Sequence, residues 1–456
     1  MAGNNGLFLH KRSWPDGDVS TQAWKTLSQI LPSRGPDADA WWQLTGRHLA
    51  VLLDAAAYPV EKQYECLLYH YHYAAPYLGP APRTSGYTTQ WKSMLQPDAI
   101  PFEFAWKWNQ VGGKPGVRIG LEPIGPMAGT ALDPLNHSAT REVLHKLSSA
   151  VPGADLTWTH HFLATLFDHD YAKYTEIAAT GAPIGTSLSL SLGFLPESTT
   201  MKTYFQPRTL SQNDTLDTPR WEASFQQLHP DLPSRTALHD FLNTSPEGKF
   251  LKPFCLSVDN CDPSRARLKW FFNTPHVNFG AIREIMTLGG RRSSTRTQEH
   301  QLNELFDLLK TLTEQPTAFP EDSEFPYTST LNGTGGTSAT LRGCVYFFDI
   351  APGKTLPEVK LYFPVRYHCR NDLCAIRSLI RWLDSRGRGE YGPAFLRALE
   401  AVADYRRLHE GCGLLSFVGC QFTSDGELEL TSYFNPEAFH SARVTARRAT
   451  RRRGDW

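Results

Sequence analysis

The chain has 456 residues, and 46 Lys and Arg are balanced by 46 Asp and Glu, so its formal net charge is zero. This neutrality excludes a protein whose partner is selected by an overall basic or acidic field. Apolar residues form 41% of the chain and charged residues 20%, which is typical of a globular protein and argues against bulk disorder. The aromatic fraction of 12% is the unusual number, and it needs an explanation.

Helices are predicted first along the chain, and pairs of strands follow them. Residues 1–36 are polar and rich in Gly, Ser and Pro, and form an N-terminal extension with one short helical pattern. Apolar residues at helical spacing predict helices within 41–53 and 64–71. After residue 100, short alternating runs predict hairpins, and the first pairs 102–106 with 117–122 across a Gly/Pro turn.

The rest of the chain repeats this alternation of helices and two-stranded hairpins. Further helices are predicted at 138–147, 234–245, 280–286, 297–314, 372–386 and 391–408. Further strands are predicted at 186–194, 201–205, 254–258, 265–272, 340–349, 358–365, 413–422 and 428–434. Since hairpins join antiparallel neighbours, we expect an α+β fold in which ten strands close into an antiparallel β-barrel surrounded by helices. One barrel domain would cover 37–440, and the basic segment 441–456 would be a disordered tail.

No targeting or membrane segment is predicted. Met1 to Gly6 lack a basic cluster before an apolar run, so we expect no signal peptide. The longest purely aliphatic stretch, Leu49 to Leu53, is too short to span a bilayer. The eight cysteines form no CxxC pair, so we expect free thiols, a cytoplasmic location and no membrane partner.

Three predicted strands share a pattern in which a lysine is followed two residues later by an aromatic residue. The pattern occurs at Lys202–Tyr204, Lys269–Phe271 and Lys360–Tyr362. Side chains two residues apart share one strand face, and the intervening residues are mostly apolar. If the apolar face packs on the helices, the cations and rings point into the barrel, where unpaired charge is costly without a bound anion.

A diphosphate would satisfy inward cations through charge-assisted hydrogen bonds, and aromatic faces attract cations. Such a site suits a reaction in which a diphosphate leaves and a carbocation forms. The alternative is that these lysines face solvent at sheet edges, where they hinder aggregation.

Several segments of the chain resemble the fungal aromatic prenyltransferases of the dimethylallyltryptophan synthase type, and together they span roughly residues 40–436. They are Trp41-Trp42 with Thr45-Gly46, Leu78–Pro80, Pro101–Phe104, Val117–Ile124, Lys202–Phe205, Lys360–Pro364 and Leu430–Phe434. The resemblance implies the αββα prenyltransferase barrel. It also implies metal-independent transfer of a dimethylallyl group from dimethylallyl diphosphate, a co-substrate, to an electron-rich arene. No other cofactor is implied.

The resemblance also implies roles for single residues. Glu103 matches the carboxylate that accepts the indole N–H of the acceptor. The matches to diphosphate-binding cations are Arg118, Lys202, Arg267, Lys269 and Lys360. The matches to rings that shield the allyl cation are Tyr204, Tyr362 and Tyr433, while Phe271 and Phe417 are pocket positions where tyrosine is common.

The chain departs from the family pattern at the residue that takes the proton from the acceptor. The predicted strand 188–193 lacks the lysine that some members use, and the matching position is Ser189, Ser191 or Gly193. The base and the ring position attacked therefore stay open. Gly112–Pro115 is expected to be an insertion in the first hairpin loop.

Four other motifs receive less specific interpretations. The NDxxD string at Asn213–Asp217 is flanked by prolines, which favours a loop over a metal-binding helix. His160–His161 lack an HExxH spacing and are expected at packing or surface positions. Gly289–Arg292 lack the ending of a phosphate-binding P-loop and are expected to form a flexible surface turn. Glu122 alternates in phase with Arg118 and is expected to be structural, facing inward beside a cation.

The leading hypothesis is a prenyltransferase that acts on the indole of tryptophan, a tryptophan-containing cyclic dipeptide or an alkaloid. Its first alternative keeps the fold but takes a phenolic acceptor, such as tyrosine or a naphthalene, whose hydroxyl Glu103 would orient. A non-catalytic binder of aromatic metabolites would not need five inward cations, and a single-stranded nucleic-acid binder is disfavoured by the zero net charge. The expected partners are an aromatic small molecule and a prenyl diphosphate, without nucleic acid, for a monomer or homodimer.

Overall fold

The computed structural model describes residues 21–82, 91–108, 113–179, 185–207, 218–292, 296–328, 343–423 and 426–443. Ten strands form a closed antiparallel barrel in which strands adjacent in the chain are adjacent in the sheet. The barrel closes where β1 pairs with β10, with Ala105 opposite Tyr433. The strands are β1 (Phe102–Trp108), β2 (Gly116–Leu121), β3 (Leu188–Phe194), β4 (Thr199–Phe205), β5 (Lys252–Asp259), β6 (Leu268–Thr274), β7 (Cys344–Asp349), β8 (Glu358–Phe363), β9 (Leu415–Phe422) and β10 (Leu428–Phe434).

Helices precede and separate the hairpins. They are α1 (Gln22–Ile30), α2 (Pro36–Trp41), α3 (Arg47–Ala55), α4 (Val60–Tyr73), α5 (His137–Ala150), α6 (Thr157–Thr165), α7 (Tyr171–Ala179), α8 (Thr218–Leu228), α9 (Pro233–Thr244), α10 (Phe279–Met286), α11 (Arg296–Leu312), α12 (Val365–His368), α13 (Asp372–Asp384) and α14 (Gly392–Val402). A π-helical turn, Trp42–Gly46, joins α2 to α3. No helix in the described part of the chain is long and apolar enough to cross a membrane.

The helices pack against the outer face of the barrel through aromatic residues. Trp270 of β6 lies 5.0 Å from Phe225 of α8, between ring centroids, and Trp106 of β1 lies 5.1 Å from Phe395 of α14. Because side chains alternate along a strand, the residues between these outward positions must line the interior. The expectation that the lysine-plus-aromatic faces point into the barrel is therefore confirmed.

The predicted barrel, its α+β class and its surrounding helices agree with the structure, and the differences are local. The strand predicted at 254–258 extends to Asp259, and the one predicted at 265–272 covers Leu268–Thr274. Helices α6, α7 and α8 were not predicted, and α6 has the sequence TWTHHFLAT, in which β-branched and aromatic residues have weak helix propensity. The segment 444–456, with most of the basic tail, lies outside the described residues.

The predicted N-terminal extension contributes a helix to the packed structure. Ala23 and Leu27 of α1 are buried. The ring of Trp24 stacks on that of Trp42, with 6.4 Å between centroids. Residues 21–30 therefore pack against the helical layer.

Candidate active site

The barrel contains a cavity of about 870 Å³ near the end where the hairpin turns lie. Its wall includes Gly353 and Thr355 from the turn between β7 and β8, and Thr423 from the end of β9. Of the residues with expected functions, nine line it: Arg118, Lys202, Tyr204, Arg267, Lys269, Phe271, Lys360, Tyr362 and Tyr433. The structure thus brings together the cations and rings that the sequence pattern singled out.

A single carboxylate, Asp259 at the end of β5, holds three of the cations. Its Oδ1 lies 2.9 Å from Lys269 Nζ and 3.5 Å from Lys202 Nζ, and its Oδ2 lies 2.6 Å from Arg267 Nε. The two lysine side chains are almost buried, whereas that of Arg267 is 49% exposed. We name these four residues the Asp259 group.

The Asp259 group carries more positive than negative charge in a poorly solvated place. Burial alone would raise the pKa of Asp259, but Lys269, Lys202 and Arg267 hold that pKa well below its usual value. Burial lowers the pKa of Lys269. Burial also lowers the pKa of Lys202, and repulsion by Lys269 and Arg118 adds to that effect. A ligand with several negative charges would relieve this strain on both lysines.

Arg118 and a second acid lie on the other side of the cavity. Glu429 of β10 forms an ion pair of 2.6 Å with Lys107 of β1. The guanidinium of Arg118 forms no hydrogen bond or ion pair with a described residue, yet its charge shifts the pKa values of Lys202, Lys360 and Glu429. The guanidinium is therefore available to an anion in the cavity.

Aromatic side chains form a connected layer against the cations. The ring of Phe271 lies 6.1 Å from that of Tyr204, 5.6 Å from that of Phe347 and 6.0 Å from that of Tyr362, between centroids. The rings of Tyr362 and Tyr433 are 5.3 Å apart. Burial raises the pKa of Tyr433 to about 12 and raises that of Tyr204, so both rings are neutral near pH 7.

Glu103 and Phe417 lie deeper in the barrel than the cavity lining. On β1, Glu103 is two inward positions beyond Lys107, or about 13 Å along the strand. Gln96 Nε2 donates a hydrogen bond of 2.8 Å to Glu103 Oε2, and the facing Gly120 leaves space, because a Cβ there would lie 2.8 Å from Glu103 Cγ. Burial raises the pKa of Glu103 to about 7, opposed by the Gln96 hydrogen bond.

Phe417 holds the matching deep position on β9, opposite Tyr433 and with its ring 6.5 Å from that of Tyr362. The interior is therefore layered, with cations at the hairpin end, rings in the middle and one carboxyl group below.

Strand β3 supplies small and hydroxyl side chains to the interior. Ser189 pairs with Tyr204 in the register and Ser191 with Lys202. Ser191 Oγ lies 3.5 Å from the Tyr204 hydroxyl oxygen, and Gly193 faces Thr200. None of the three candidate positions for a base therefore carries an amine or a carboxylate.

One expectation from the sequence was wrong in part and another was incomplete: Glu122 is structural as expected but does not face inward beside a cation, and Gly289–Arg292 is an exposed turn that also reaches the cavity. Glu122 does not pair with a cation; it is buried and accepts hydrogen bonds from Trp91 Nε1 at 2.7 Å and from the hydroxyls of Ser93 and Thr186. Strand β2 ends at Leu121, so the alternation that would turn Glu122 inward stops before it. Gly289–Arg292 is not merely a surface turn, because Arg291 and Arg292 line the cavity.

Of the remaining motifs, His161 Nε2 lies 2.9 Å from the carbonyl oxygen of Ser224 and His160 is exposed, as expected of packing and surface positions. Asn213–Asp217 lies outside the described residues.

Sequence reasoning missed the acidic residues that pair with the cations at and beside the cavity. Asp259 and Asp349 are the last residues of β5 and β7, and Glu429 is the second residue of β10, so no long alternating run pointed to them. Asp349 is buried and pairs with Lys354 at 2.9 Å. The signal was present for Asp259, since Cys255, Ser257 and Asp259 alternate on the inward face of β5.

Comparisons with known proteins agree with this architecture. A family model described as tryptophan dimethylallyltransferase matches residues 37–398. The chain is 70% identical to xanthone prenyltransferase B of Emericella nidulans, over 99% of each protein. It is 46% identical to prenyltransferase anuH of Penicillium roqueforti, over 95% of this chain and 98% of the relative.

Among solved structures, NotF in complex with brevianamide F and DMSPP matches 92% of this chain and 99% of its own with a TM-score of 0.75. At 21% identity this match shows the shared fold, the αββα prenyltransferase barrel. The family model covers the chain through β8, the two relatives match nearly all of it, and all three describe prenyl transfer enzymes. The chain is an aromatic prenyltransferase and belongs to the tryptophan dimethylallyltransferase family.

Proposed function

We propose that the protein transfers a dimethylallyl group from dimethylallyl diphosphate to a carbon of a phenolic polycycle, without a metal ion. The layered interior carries the proposal, because it offers cations for a diphosphate, rings for an allyl cation and a deep carboxyl group for an acceptor. The identity of 70% with a protein named xanthone prenyltransferase favours a phenol over the indole that the sequence motifs suggested.

In this proposal Arg118, Lys202, Arg267, Lys269 and Lys360 bind the diphosphate. The Asp259 carboxylate holds Lys202, Arg267 and Lys269 in place before the ligand arrives, and the guanidinium of Arg118 has no ion-pair partner among the described residues. Fixed donors at the position where the leaving group gains charge lower the barrier to ionisation without reorganisation. Phe271 offers no hydroxyl to the diphosphate, so the cations carry this task.

The rings of Tyr204, Tyr362 and Tyr433 then shield the allyl cation. Aromatic faces attract a cation, and the neutral rings that line the cavity exclude the water that would otherwise capture it. Phe271 belongs to the same layer and Phe417 lies below it, and their missing hydroxyls make this part of the interior more apolar.

Glu103 orients the acceptor below the rings. The free oxygen of its carboxylate accepts the hydrogen bond of a phenol O–H, which increases the electron density of the ring that attacks. The distance of about 13 Å along β1 between Glu103 and Lys107 leaves room for a five-carbon chain and one ring layer. An indole N–H would bind Glu103 in the same way, so indoles stay the second class of acceptor.

We place this reaction in the cytoplasm, for a monomer or homodimer that binds only the two small molecules. All eight cysteines are free thiols, as a reducing compartment requires.

The test is product formation from dimethylallyl diphosphate in the presence of EDTA. The acceptor panel contains hydroxyxanthones, naphthols, tyrosine, tryptophan and tryptophan-containing cyclic dipeptides, and products are followed by mass. We expect prenylated hydroxyxanthone. No product with any acceptor, or loss of activity with EDTA, refutes the proposal, and turnover of indoles alone refutes its phenolic part.

The role of Glu103 is tested by Glu103→Gln, with Glu122→Gln as a matched control. Burial raises the pKa of each carboxyl group to about 7, but Glu103 faces the barrel interior from β1, whereas Glu122 lies just beyond the end of β2 in a network of neutral donors. We expect Glu103→Gln to reduce kcat/KM for the acceptor about 100-fold, within the usual range for a positioned acid–base group, and Glu122→Gln to retain turnover. Equal effects of the two substitutions would remove the role of Glu103.

A further inference from the structure

A glutamine outside the strands donates the hydrogen bond that Glu103 receives. Gln96 lies in the segment before β1, and its Nε2 donates to Glu103 Oε2 at 2.8 Å. The Gln96 side chain is buried, with 3% of its surface exposed. Within the described part of the chain, the Glu103 carboxylate forms no other hydrogen bond and no ion pair. Gln96 therefore controls one of the two oxygens of this carboxylate.

A tight turn brings Gln96 back to the start of β1. The backbone N–H of Ala99 donates to the carbonyl oxygen of Gln96 at 3.0 Å, and Ala99 has a φ of 62°. Residues other than glycine rarely adopt this left-handed conformation, which persists only where the surrounding structure holds it. The strained backbone beside Glu103 indicates that the fold specifies the position of Gln96.

Asn435, which follows β10, fixes which end of the Gln96 amide faces Glu103. Its Oδ1 accepts the backbone N–H of Glu437 at 2.7 Å, and its Nδ2 donates to the carbonyl oxygen of Gly413 at 3.0 Å. Because a backbone N–H only donates and a carbonyl only accepts, the amide of Asn435 cannot turn over. Its second N–H then faces Gln96 Oε1 at 3.4 Å, which leaves Gln96 Nε2 for Glu103.

The two carboxylate oxygens of Glu103 therefore differ. Oε2 accepts from Gln96, whereas Oε1 lies beside Gly120, where a Cβ would approach it to 3.0 Å. The missing side chain at Gly120 keeps Oε1 open to the interior. A donor at Oε2 favours the ionised carboxylate, which can only accept hydrogen bonds. A molecule that binds at Oε1 must then offer an O–H or an N–H.

Few charges act on Glu103. Arg118 on the neighbouring strand β2 pairs with Ala105 rather than with Glu103. Burial raises the pKa of Glu103 to about 7, and the Gln96 hydrogen bond opposes this rise. Three tyrosines of other strands interact electrostatically with Glu103, and since burial raises the pKa of each, all are neutral near pH 7; they are Tyr204 of β4, Tyr362 of β8 and Tyr433 of β10.

We propose that Gln96 is a positioning residue for the acceptor, because it holds Glu103 Oε2 and so presents Oε1 alone, as a hydrogen-bond acceptor, to the hydroxyl of the phenolic substrate. The proposal rests on the proposed function, in which Glu103 orients that hydroxyl. Gln96 acts through Glu103 and forms or breaks no covalent bond. It favours acceptors with an O–H or N–H at Oε1, since a methyl ether there would leave the carboxylate unpaired.

The experiment compares Gln96→Met, which keeps the length of the side chain but removes the N–H, with the wild-type protein. Infrared difference spectroscopy of the ligand-free protein follows the protonation of Glu103, and Glu103→Gln assigns its band. We expect the titration midpoint to rise by about one to two pH units, because a hydrogen bond to the charged form is lost. We expect kcat/KM for the phenolic acceptor to fall about 10- to 100-fold below pH 7 and to approach the wild-type value above the new midpoint, with an unchanged KM for dimethylallyl diphosphate.

Gln63→Met is the matched control. Gln63 is 7% exposed and lies on α4, outside the barrel, where its Nε2 donates to the carbonyl oxygen of Tyr58 at 3.0 Å. This variant should leave the Glu103 midpoint unchanged, whatever its effect on stability. If Gln96→Met does not fold, Gln96→Asn, whose amide is one methylene shorter, is used with the same expectation.

An unchanged Glu103 midpoint in a folded Gln96 variant, or a fall in kcat/KM that is equal at every pH, would overturn the proposal. A wild-type protein that forms no product, while the midpoint still rises in Gln96→Met, would instead refute the proposed function.

Discussion

Replacing Asp259 by Asn removes the negative charge that balances three cations of the proposed diphosphate site. In the free protein this carboxylate is the ion-pair partner of Lys202, Arg267 and Lys269. Without it the two lysines lose their nearest negative charge while they stay buried. Removal of one partner from a buried ion pair costs about 3–5 kcal/mol, and the half-exposed Arg267 adds at most about 1 kcal/mol.

Proton loss by a buried lysine costs a similar amount. A buried lysine without an ion-pair partner can become neutral by losing a proton. From an ordinary pKa near 10.4, this costs about 4.6 kcal/mol at pH 7, at 1.36 kcal/mol per pH unit. We therefore expect Asp259→Asn to reduce the free energy of unfolding of the ligand-free protein by about 3–5 kcal/mol.

A bound diphosphate should reverse most of this loss, because it replaces the missing negative charge. If about 3 kcal/mol is recovered, the variant binds inorganic diphosphate roughly 100-fold more tightly than the wild type, at 1.4 kcal/mol per factor of ten. The assay is denaturant unfolding followed by tryptophan fluorescence, with and without saturating diphosphate, together with a calorimetric titration.

Asp372→Asn is the control for the loss of a buried acid elsewhere. Asp372 pairs with Arg406 and accepts the backbone N–H of Leu415 at 3.0 Å, away from the cavity. It should destabilise the protein without any gain in diphosphate affinity. Unchanged or weaker diphosphate binding in Asp259→Asn would refute the reasoning that Asp259 holds the place of the ligand's charge.

The geometry around Glu103, Gly419 and Arg118 gives three further expected outcomes. Because the pKa of Glu103 is about 7 in the folded protein, its ionised fraction rises with pH. The affinity for an acceptor whose own pKa exceeds 9 should therefore increase tenfold per pH unit below pH 7 and level off above pH 7. A fluorescence titration should show this increase in the wild type and not in Glu103→Gln. Gly419→Ala should cost only about 1 kcal/mol of stability in denaturant unfolding, since the end of a flexible lysine can move. It should nevertheless raise KM for dimethylallyl diphosphate by displacing Lys360, and an unchanged KM would contradict the close fit between Gly419 and Lys360. Arg118→Met should raise KM for dimethylallyl diphosphate at least tenfold. It should not lower the free energy of unfolding, because the guanidinium has no partner among the described residues. A destabilised variant with normal KM would reveal a structural role instead.

The sequence was informative about the barrel because one face of each strand is apolar and the other is not. Lys202 and Tyr204 could be assigned to the interior from alternation alone, since Met201, Thr203 and Phe205 pack outward. The motif at Lys269–Phe271 lies in a strand that is buried on both faces, so its direction depended on the matching motifs elsewhere.

Ion pairs between distant strands could not be predicted. Asp259 meets Lys202 because β4 pairs with β5 in a register that places these two residues opposite each other. The role of Gly419 depends on a lysine of the neighbouring strand, and no local pattern indicates such a contact. Glu122 shows the opposite error, because a correct alternation was extended one residue beyond the end of its strand.

A crystal structure with a dimethylallyl diphosphate analogue that resists ionisation would test the central claim most directly. The account predicts diphosphate oxygens within hydrogen-bond distance of Arg118, Lys202 and Lys269, with the dimethylallyl chain against the rings of Tyr204, Tyr362 and Tyr433. A diphosphate bound outside the barrel, or one held with its chain directed away from these rings, would contradict it.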